Sequence, residues 1–243
     1  PTMLKDGSGW GAMAGVSAAY LAADGFTGAP AVTVNDPGVA HVWADLGRRW
    51  LIEEQYFKPH PVCRWAQPAV EAALGLCLAH GIAGVDVEQI EVTTFHEAAR
   101  LATALPETTE QAQYSLPFPV AAAVLRGQLG ATEITAGALT DPAIRSLAQK
   151  VTIVEDAAHN RAFPDNRFAR VTLVLANGRR VTSPDTEPRG DPEAHLSDAE
   201  LRVKFHQLAR PALGDDRAAT VERAVDGLLT ADSLEPLFTS VFS

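Results

Sequence analysis

The chain has 243 residues, of which 47% are apolar and 21% are charged, a composition typical of a folded globular protein with a sizeable core. It carries 30 acidic against 20 basic side chains, which gives a formal net charge of -10. Because a phosphate-binding surface needs concentrated Lys and Arg, this balance argues against a nucleic-acid partner, although one or two local cations would still admit a small anionic substrate.

The uncharged stretch over residues 7–23 is rich in Gly, Ala and Ser. It is too short and too weakly apolar to span a bilayer, and the N-terminus lacks the basic segment and apolar run of a signal peptide. Cys63 and Cys77 are the only cysteines and fall in one predicted helix, about 21 Å apart along its axis, which is too far for a disulfide. We therefore expect two buried, reduced thiols, no membrane contact and a cytoplasmic location.

The first 46 residues are predicted to be helical. Gly and Ala recur at helical spacing over residues 10–23, a pattern typical of a helix that packs closely against another helix. Asp36-Pro37 then predicts an N-cap followed by proline at the first helical position, and this short helix ends near residue 46. A face of small residues requires a helical partner, so we expect this segment to pack against helices elsewhere.

The middle of the chain mixes strands and helices. In chain order, the predicted elements are an extended segment (50–58), a helix (62–80), a strand (87–94), two helices (115–129 and 142–150), a strand (151–156) and a hairpin (168–183). Pro68 predicts a kink in the 62–80 helix or a late start near Gln67. Asn177-Gly178 is the strongest short-range signal for a hairpin turn.

The last part of the chain returns to helices. A polar segment rich in Pro and Gly (184–192) is followed by Ser197, which with Glu200 predicts a capping box. The predicted helices are 198–208, 215–229 and 234–241. We therefore predict an α+β fold, in which an α+β domain (47–190) is flanked by helical segments (1–46 and 191–243) that belong together.

The segment Tyr56-Phe57-Lys58-Pro59-His60-Pro61-Val62-Cys63-Arg64-Trp65 is the richest in possible chemistry. Lys58, His60 and Arg64 are crowded where an extended segment meets a helix, and two prolines stiffen the turn. Backbone N–H groups at a helix N-terminus favour anions, and nearby cations strengthen that preference. The segment could bind a substrate carboxylate. A rigid loop with solvated charges is the alternative interpretation.

Two other segments are less distinctive by themselves. Residues 112–118, with Tyr114 and Ser115, form an apolar helix entry, and Lys5 stands alone before the first helix.

The seven histidines and two cysteines show no metal-ligand spacing, so we expect no metal. No GxSxG, GxGxxG or P-loop is present, which leaves hydrolase and nucleotide-binding functions without support.

These segments together resemble landmarks of the MmgE/PrpD family, and they occur in the family's order over nearly the whole chain. The landmarks are Lys5 with the Gly/Ala-rich helix, Gly25-Phe26-Thr27-Gly28, Lys58-Pro59-His60-Pro61 with Cys63-Arg64 and Pro68-Ala69, Ala112-Gln113-Tyr114-Ser115-Leu116-Pro117-Phe118, and Gly190-Asp191-Pro192, Leu196-Ser197 and Lys204-Phe205. Only the C-terminal half of such an enzyme is matched, because nothing here resembles the family's early loops that bear Asp and His.

The resemblance implies a two-domain enzyme with an all-helical domain, an α+β lid domain and an active site between them. Members include 2-methylcitrate dehydratase, cis-aconitate decarboxylase and iminodisuccinate epimerase, which require no cofactor. Their common step is proton movement beside a carboxylate of a small polycarboxylic acid. By this resemblance Lys58, His60 and Tyr114 are the candidate catalytic residues. Lys5, Arg64 and Ser115 are the candidate substrate-binding residues.

The sequence also departs from the family pattern. Phe118 stands where decarboxylases carry a tyrosine, which favours dehydration or epimerisation over decarboxylation. His60 and Gln67 stand where the family commonly has an aromatic residue and a His. A chain of this kind would expose an apolar patch, so we expect a homodimer or association with an N-terminal half. The alternative function is a non-catalytic homologue that binds a partner or a carboxylate without turnover.

Overall fold

The structure, a computed structural model, describes residues 8–242, and the chain divides into two compact units, Pro1–Gln55 and Tyr56–Ser243. The described part of the first unit contains α1 (Ser8–Ala23), α2 (Val32–Asn35) and 3₁₀ segments at Pro37–Trp43 and Leu51–Glu54. Asp36 caps the first 3₁₀ segment, as predicted, by accepting the N–H of Gly38 at 2.7 Å. The prediction of extended structure over 50–58 was wrong at Leu51–Glu54, where i to i+3 backbone bonds close a 3₁₀ turn.

The second unit contains the four strands of the described chain and most of its helices. They are α3 (Gln67–His80), β1 (Val87–Thr94), α4 (His96–Ala99), α5 (Thr109–Gln113), α6 (Pro117–Arg126), α7 (Ala136–Leu139), α8 (Pro142–Ala148), β2 (Val151–Glu155), α9 (Ala157–Ala162), β3 (Ala169–Leu175), β4 (Arg180–Thr182), α10 (Asp198–Leu213), α11 (Asp215–Asp226) and α12 (Glu235–Phe242). The α+β class is confirmed. The late start of α3 at Gln67 is confirmed as well.

The sheet has the strand order β2-β1-β3-β4 and is mixed. β1 pairs with β2 in parallel, with Ile90 opposite Val151, and the connection between them contains α4 to α8. A parallel pair requires such a long crossover, since a tight turn cannot join strands that run the same way. β3 pairs antiparallel with both β1 and β4, and the β3–β4 hairpin turns at Gly178, whose φ of +82° only glycine adopts readily.

The core lies on one face of this sheet. Side chains alternate between buried and partly exposed along β1 and β3, so that Val92 and Val171, which face each other, are both fully buried. α3 packs on β3, and α6 packs between α3 and α8. Phe118 at the start of α6 is fully buried, and such burial contributes about 1.5–3 kcal/mol. The helices α3 and α6 are therefore fixed on the sheet, and with them the turns that precede both helices.

The C-terminal helices α10, α11 and α12 pack on one another in chain order. Ser197 and Glu200 form the predicted capping box, in which the Glu200 carboxylate accepts the Ser197 N–H at 2.9 Å. α10 continues to Leu213 rather than ending near residue 208, because Pro211 near its end removes only one backbone donor. The expected packing of residues 1–46 against 191–243 concerns both units and stays a prediction.

Cys77 lies in α3, whereas Cys63 precedes this helix, so the prediction that one helix holds both cysteines was wrong. Both are free thiols, and both are only partly buried. Burial raises the pKa of the Cys77 thiol, which makes it a weaker nucleophile. Over residues 8–242, no helix combines the length and the apolar character that crossing a membrane requires.

Candidate functional site

The turn that carries Lys58 and His60 is held by the side chain of Gln67, which is 1% exposed. Its amide Nε2 donates to the carbonyl of His60 at 2.8 Å and to the carbonyl of Val62 at 3.0 Å. Its Oε1 accepts the backbone N–H of His60 at 3.3 Å. A buried amide with three backbone bonds fixes the turn relative to the first residue of α3.

The linker before α10 crosses the same turn. Gly190 has φ of +96° and accepts the N–H of Phe57 at 2.8 Å through its carbonyl. A Cβ at Gly190 would lie 1.9 Å from the carbonyl oxygen of Phe57, so no larger residue fits there. This close approach brings the next residue, Asp191, to the candidate site.

Arg64 is engaged by two partners. Both oxygens of the Asp191 carboxylate accept from its guanidinium, and the guanidinium carbon lies 3.9 Å from the centre of the Tyr56 ring. The Arg64 side chain is 14% exposed. Its charge is compensated within the protein, so the pair ties the linker to the turn. The predicted role of Arg64 as a substrate ligand stays a prediction.

The backbone of Lys58 contacts the side chain of a second lysine. The ammonium of Lys204, on α10, donates to the backbone carbonyl of Lys58 at 2.6 Å. Burial lowers the pKa of Lys204, and the charge of Lys58 lowers it further. Within residues 8–242, neither Lys58 nor Lys204 forms an ion pair with a carboxylate. Two positive charges without a carboxylate partner among the described residues are therefore concentrated where the turn meets α10.

His60 is partly buried and contacts two groups. Its Nδ1 lies 3.1 Å from the carbonyl oxygen of Leu129, and its Nε2 lies 3.4 Å from Oε1 of Glu71, a residue of α3. The ring borders a cavity of about 560 Å³ that is lined also by the loop over residues 127–135 and by Leu208 of α10. The contact with the carbonyl orients the ring, so that Nε2 lies on the side of Glu71.

Tyr114 and Ser115 follow α5. Tyr114 is 40% exposed, and its neighbour Gln113 accepts the backbone N–H of Cys63 at 2.7 Å, which places this segment against the turn. Ser115 is fully buried. Its hydroxyl donates to the carbonyl of Thr103 at 2.6 Å and accepts the N–H of Phe118 at 3.1 Å, so it caps the start of α6. The predicted substrate-binding role of Ser115 stays a prediction.

The structure brings five of the six candidate residues into one unit, and Lys5 lies outside the described residues. Sequence reasoning assigned no contact to Lys204, Asp191 or Glu71. The sequence did contain one indication that Lys204 has a specific role. The chain has only four lysines, at positions 5, 58, 150 and 204, so each is a rare residue type here. The proximity of Lys204 to Lys58 was not predictable, because 146 residues separate the two.

No group of three or more potential metal ligands occurs in the part of the chain that the structure describes. Comparison with protein families finds a match to the MmgE/PrpD C-terminal domain over residues 60–228. The match includes His60, Arg64, Tyr114, Ser115 and Lys204. It spans the sheet, the helices on it and most of the C-terminal helices. No curated protein matches the chain.

Proposed function

The chain belongs to the MmgE/PrpD family, and on that premise we propose that it is the carboxylate-binding half of a lyase or isomerase. The substrate is a small di- or tricarboxylic acid. The reaction is dehydration or epimerisation, in which a proton moves at a carbon next to a carboxylate. This step needs proton transfer and charge stabilisation, and we propose no cofactor for it.

The observation that carries the proposal is the ammonium of Lys58 at a rigid turn, which has no carboxylate partner within residues 8–242. Removing a proton beside a carboxylate places additional negative charge on the carboxylate oxygens, and a positioned cation stabilises that charge. Gln67 and Gly190 fix the backbone on both sides of Lys58. The backbone that carries this cation is therefore fixed before substrate binds, which lowers the cost of placing the charge beside a carboxylate.

His60 and Tyr114 are the proposed proton-transfer groups. The contacts of His60 with Leu129 and Glu71 support a ring that is held in a fixed orientation, as a proton-transfer group requires. Tyr114 offers a phenol on a partly exposed side chain. Phe118 is buried in the core and offers no hydroxyl, which favours dehydration or epimerisation over decarboxylation.

The test compares Lys58→Ala with Lys150→Ala, since Lys150 is an exposed lysine at the end of α8 and serves as the matched control. The chain, alone and with a supplied N-terminal half, is assayed with 2-methylcitrate, cis-aconitate and iminodisuccinate. Loss of a charge-assisted contact to a carboxylate is worth about 1.5–3 kcal/mol, so turnover should fall roughly 10- to 150-fold in Lys58→Ala. Full activity of Lys58→Ala would refute the proposal.

A second candidate function is carboxylate binding without turnover. The compensated charge of Arg64 and the occupied hydroxyl of Ser115 favour it, because they leave fewer groups for chemistry. Saturable citrate binding by the chain, together with no turnover of the three acids even beside an N-terminal half, would select this function.

We also propose association, either with a second copy of the chain or with an N-terminal helical half. The C-terminal helices support it, because they present large apolar side chains to solvent: Val225, Leu229, Leu234, Phe238, Val241 and Phe242. Where such side chains adjoin, they form the kind of apolar surface that marks an interaction site on a soluble protein.

A further inference from the structure

Lys204 and Lys58 form an arrangement that packing alone does not explain. Like charges repel, and burial penalises an ammonium further, so a lysine pair is costly unless something compensates it. The Arg side chains nearby are compensated: Arg64 by Asp191 and Arg189 by Glu200. Among the described residues, no carboxylate within ion-pair distance compensates either lysine.

The geometry leaves Lys204 with unused donors. An ammonium has three N–H groups, and the bond to the Lys58 carbonyl uses one of them. That bond also fixes the ammonium beside the backbone from which the Lys58 side chain extends. The charge of Lys58 acts on Lys204, so the two ammonium groups lie close enough to interact, and one small anion can contact both.

We propose that Lys204 is a second substrate-binding residue, and that Lys58 and Lys204 together hold one carboxylate of a small polycarboxylic acid. This inference rests on the proposed function, since it takes Lys58 as a carboxylate ligand. It goes further in giving α10 a direct part in binding. A bound carboxylate supplies the missing negative charge, relieves the repulsion between the two cations and stabilises the protonated form of Lys204.

The proposal has a consequence for pH. Because the pKa of free Lys204 is lowered, binding of the anion must raise it, and the affinity must fall as the pH rises through the pKa of the free protein. An anion held by Lys58 alone would also raise the pKa of Lys204, but only by neutralising the charge of Lys58, so the affinity of a Lys204 variant that lacks the charge must decide between the two arrangements.

The chain has only four lysines, so each of them can be observed separately by NMR. Incorporation of ¹³C-labelled lysine gives each of the four lysines its own Cε signal and leaves its ammonium unmodified, and Lys→Arg variants assign the signals. Citrate is the probe. We expect the signals of Lys58 and Lys204 to shift with the same citrate dependence and the pKa of Lys204 to rise, while the signal of Lys150 stays in place.

Two outcomes would overturn the proposal in distinguishable ways. A citrate-dependent shift of Lys58 alone would refute the role of Lys204 and leave the proposed function intact. No shift at either lysine would refute both.

A variant pair provides an independent check. Lys204→Gln keeps an amide donor but loses the charge, and should weaken citrate binding roughly 10-fold or more. Lys204→Arg keeps the charge and should retain most of the affinity. Equal affinities of wild type and Lys204→Gln would contradict the inference.

Discussion

Gln67→Met is the substitution that best tests how the candidate site is held. Methionine has nearly the length and volume of glutamine but no amide, so the core beside α3 stays filled. The change removes the bonds from Gln67 to the carbonyls of His60 and Val62 and the bond from the His60 N–H. Three backbone groups at the turn then lose their partner.

The magnitude follows from these three bonds. Each contributes about 0.5–1.5 kcal/mol net, and a partly buried group left unpaired lies toward the upper end, so the free energy of unfolding should fall by about 3 kcal/mol. With a urea dependence of about 2 kcal/mol per molar, the unfolding midpoint should fall by roughly 1.5 M. Citrate binding should weaken too, because the backbone of Lys58 is no longer fixed.

The assay is urea unfolding monitored by circular dichroism, with Gln111→Met as the matched control. Gln111 is exposed and makes one side-chain bond, to the N–H of Glu107, so its replacement should change stability by less than about 0.5 kcal/mol. If Gln67→Met were as stable as Gln111→Met, the amide would not hold the turn, and the argument for a preorganised Lys58 would fail.

The remaining predictions concern pH and association. Arg189, followed by the backbone N–H and hydroxyl of Ser197, lowers the pKa of Glu200 to about 2. The carboxylate therefore stabilises the folded chain above its unfolded pKa of 4.5, and this contribution is lost as the pH falls toward 2. Thermal unfolding of wild type and Glu200→Gln should differ at pH 6 and converge near pH 2, and a difference independent of pH would contradict this sign. Light scattering should give at least a dimer, and a stable monomer that binds no apolar dye would refute the proposed association.

Local signals in the sequence placed several elements correctly. The alternation over residues 87–94 predicted β1, and Asn177-Gly178 predicted the β3–β4 hairpin. Ser197 and Glu200 predicted the start of α10. These features are local, because capping and turn chemistry act over two to four residues, and alternation acts along a single strand. The sequence also carried enough ordered motifs to indicate the family.

Other features required the tertiary structure. The parallel pairing of β1 with β2 and the strand order depend on which segments meet across 60 residues or more, and no local pattern specifies that. The same holds for the bond between Lys204 and Lys58 and for the pairing of Arg64 with Asp191. The type of a side chain determines which chemistry it can perform, so the sequence alone identified Lys58, His60 and Arg64 as candidates. Whether a charge is compensated depends on neighbours brought together by folding. For this reason only the structure distinguished an arginine already paired with Asp191 from two lysines without a carboxylate partner among the described residues.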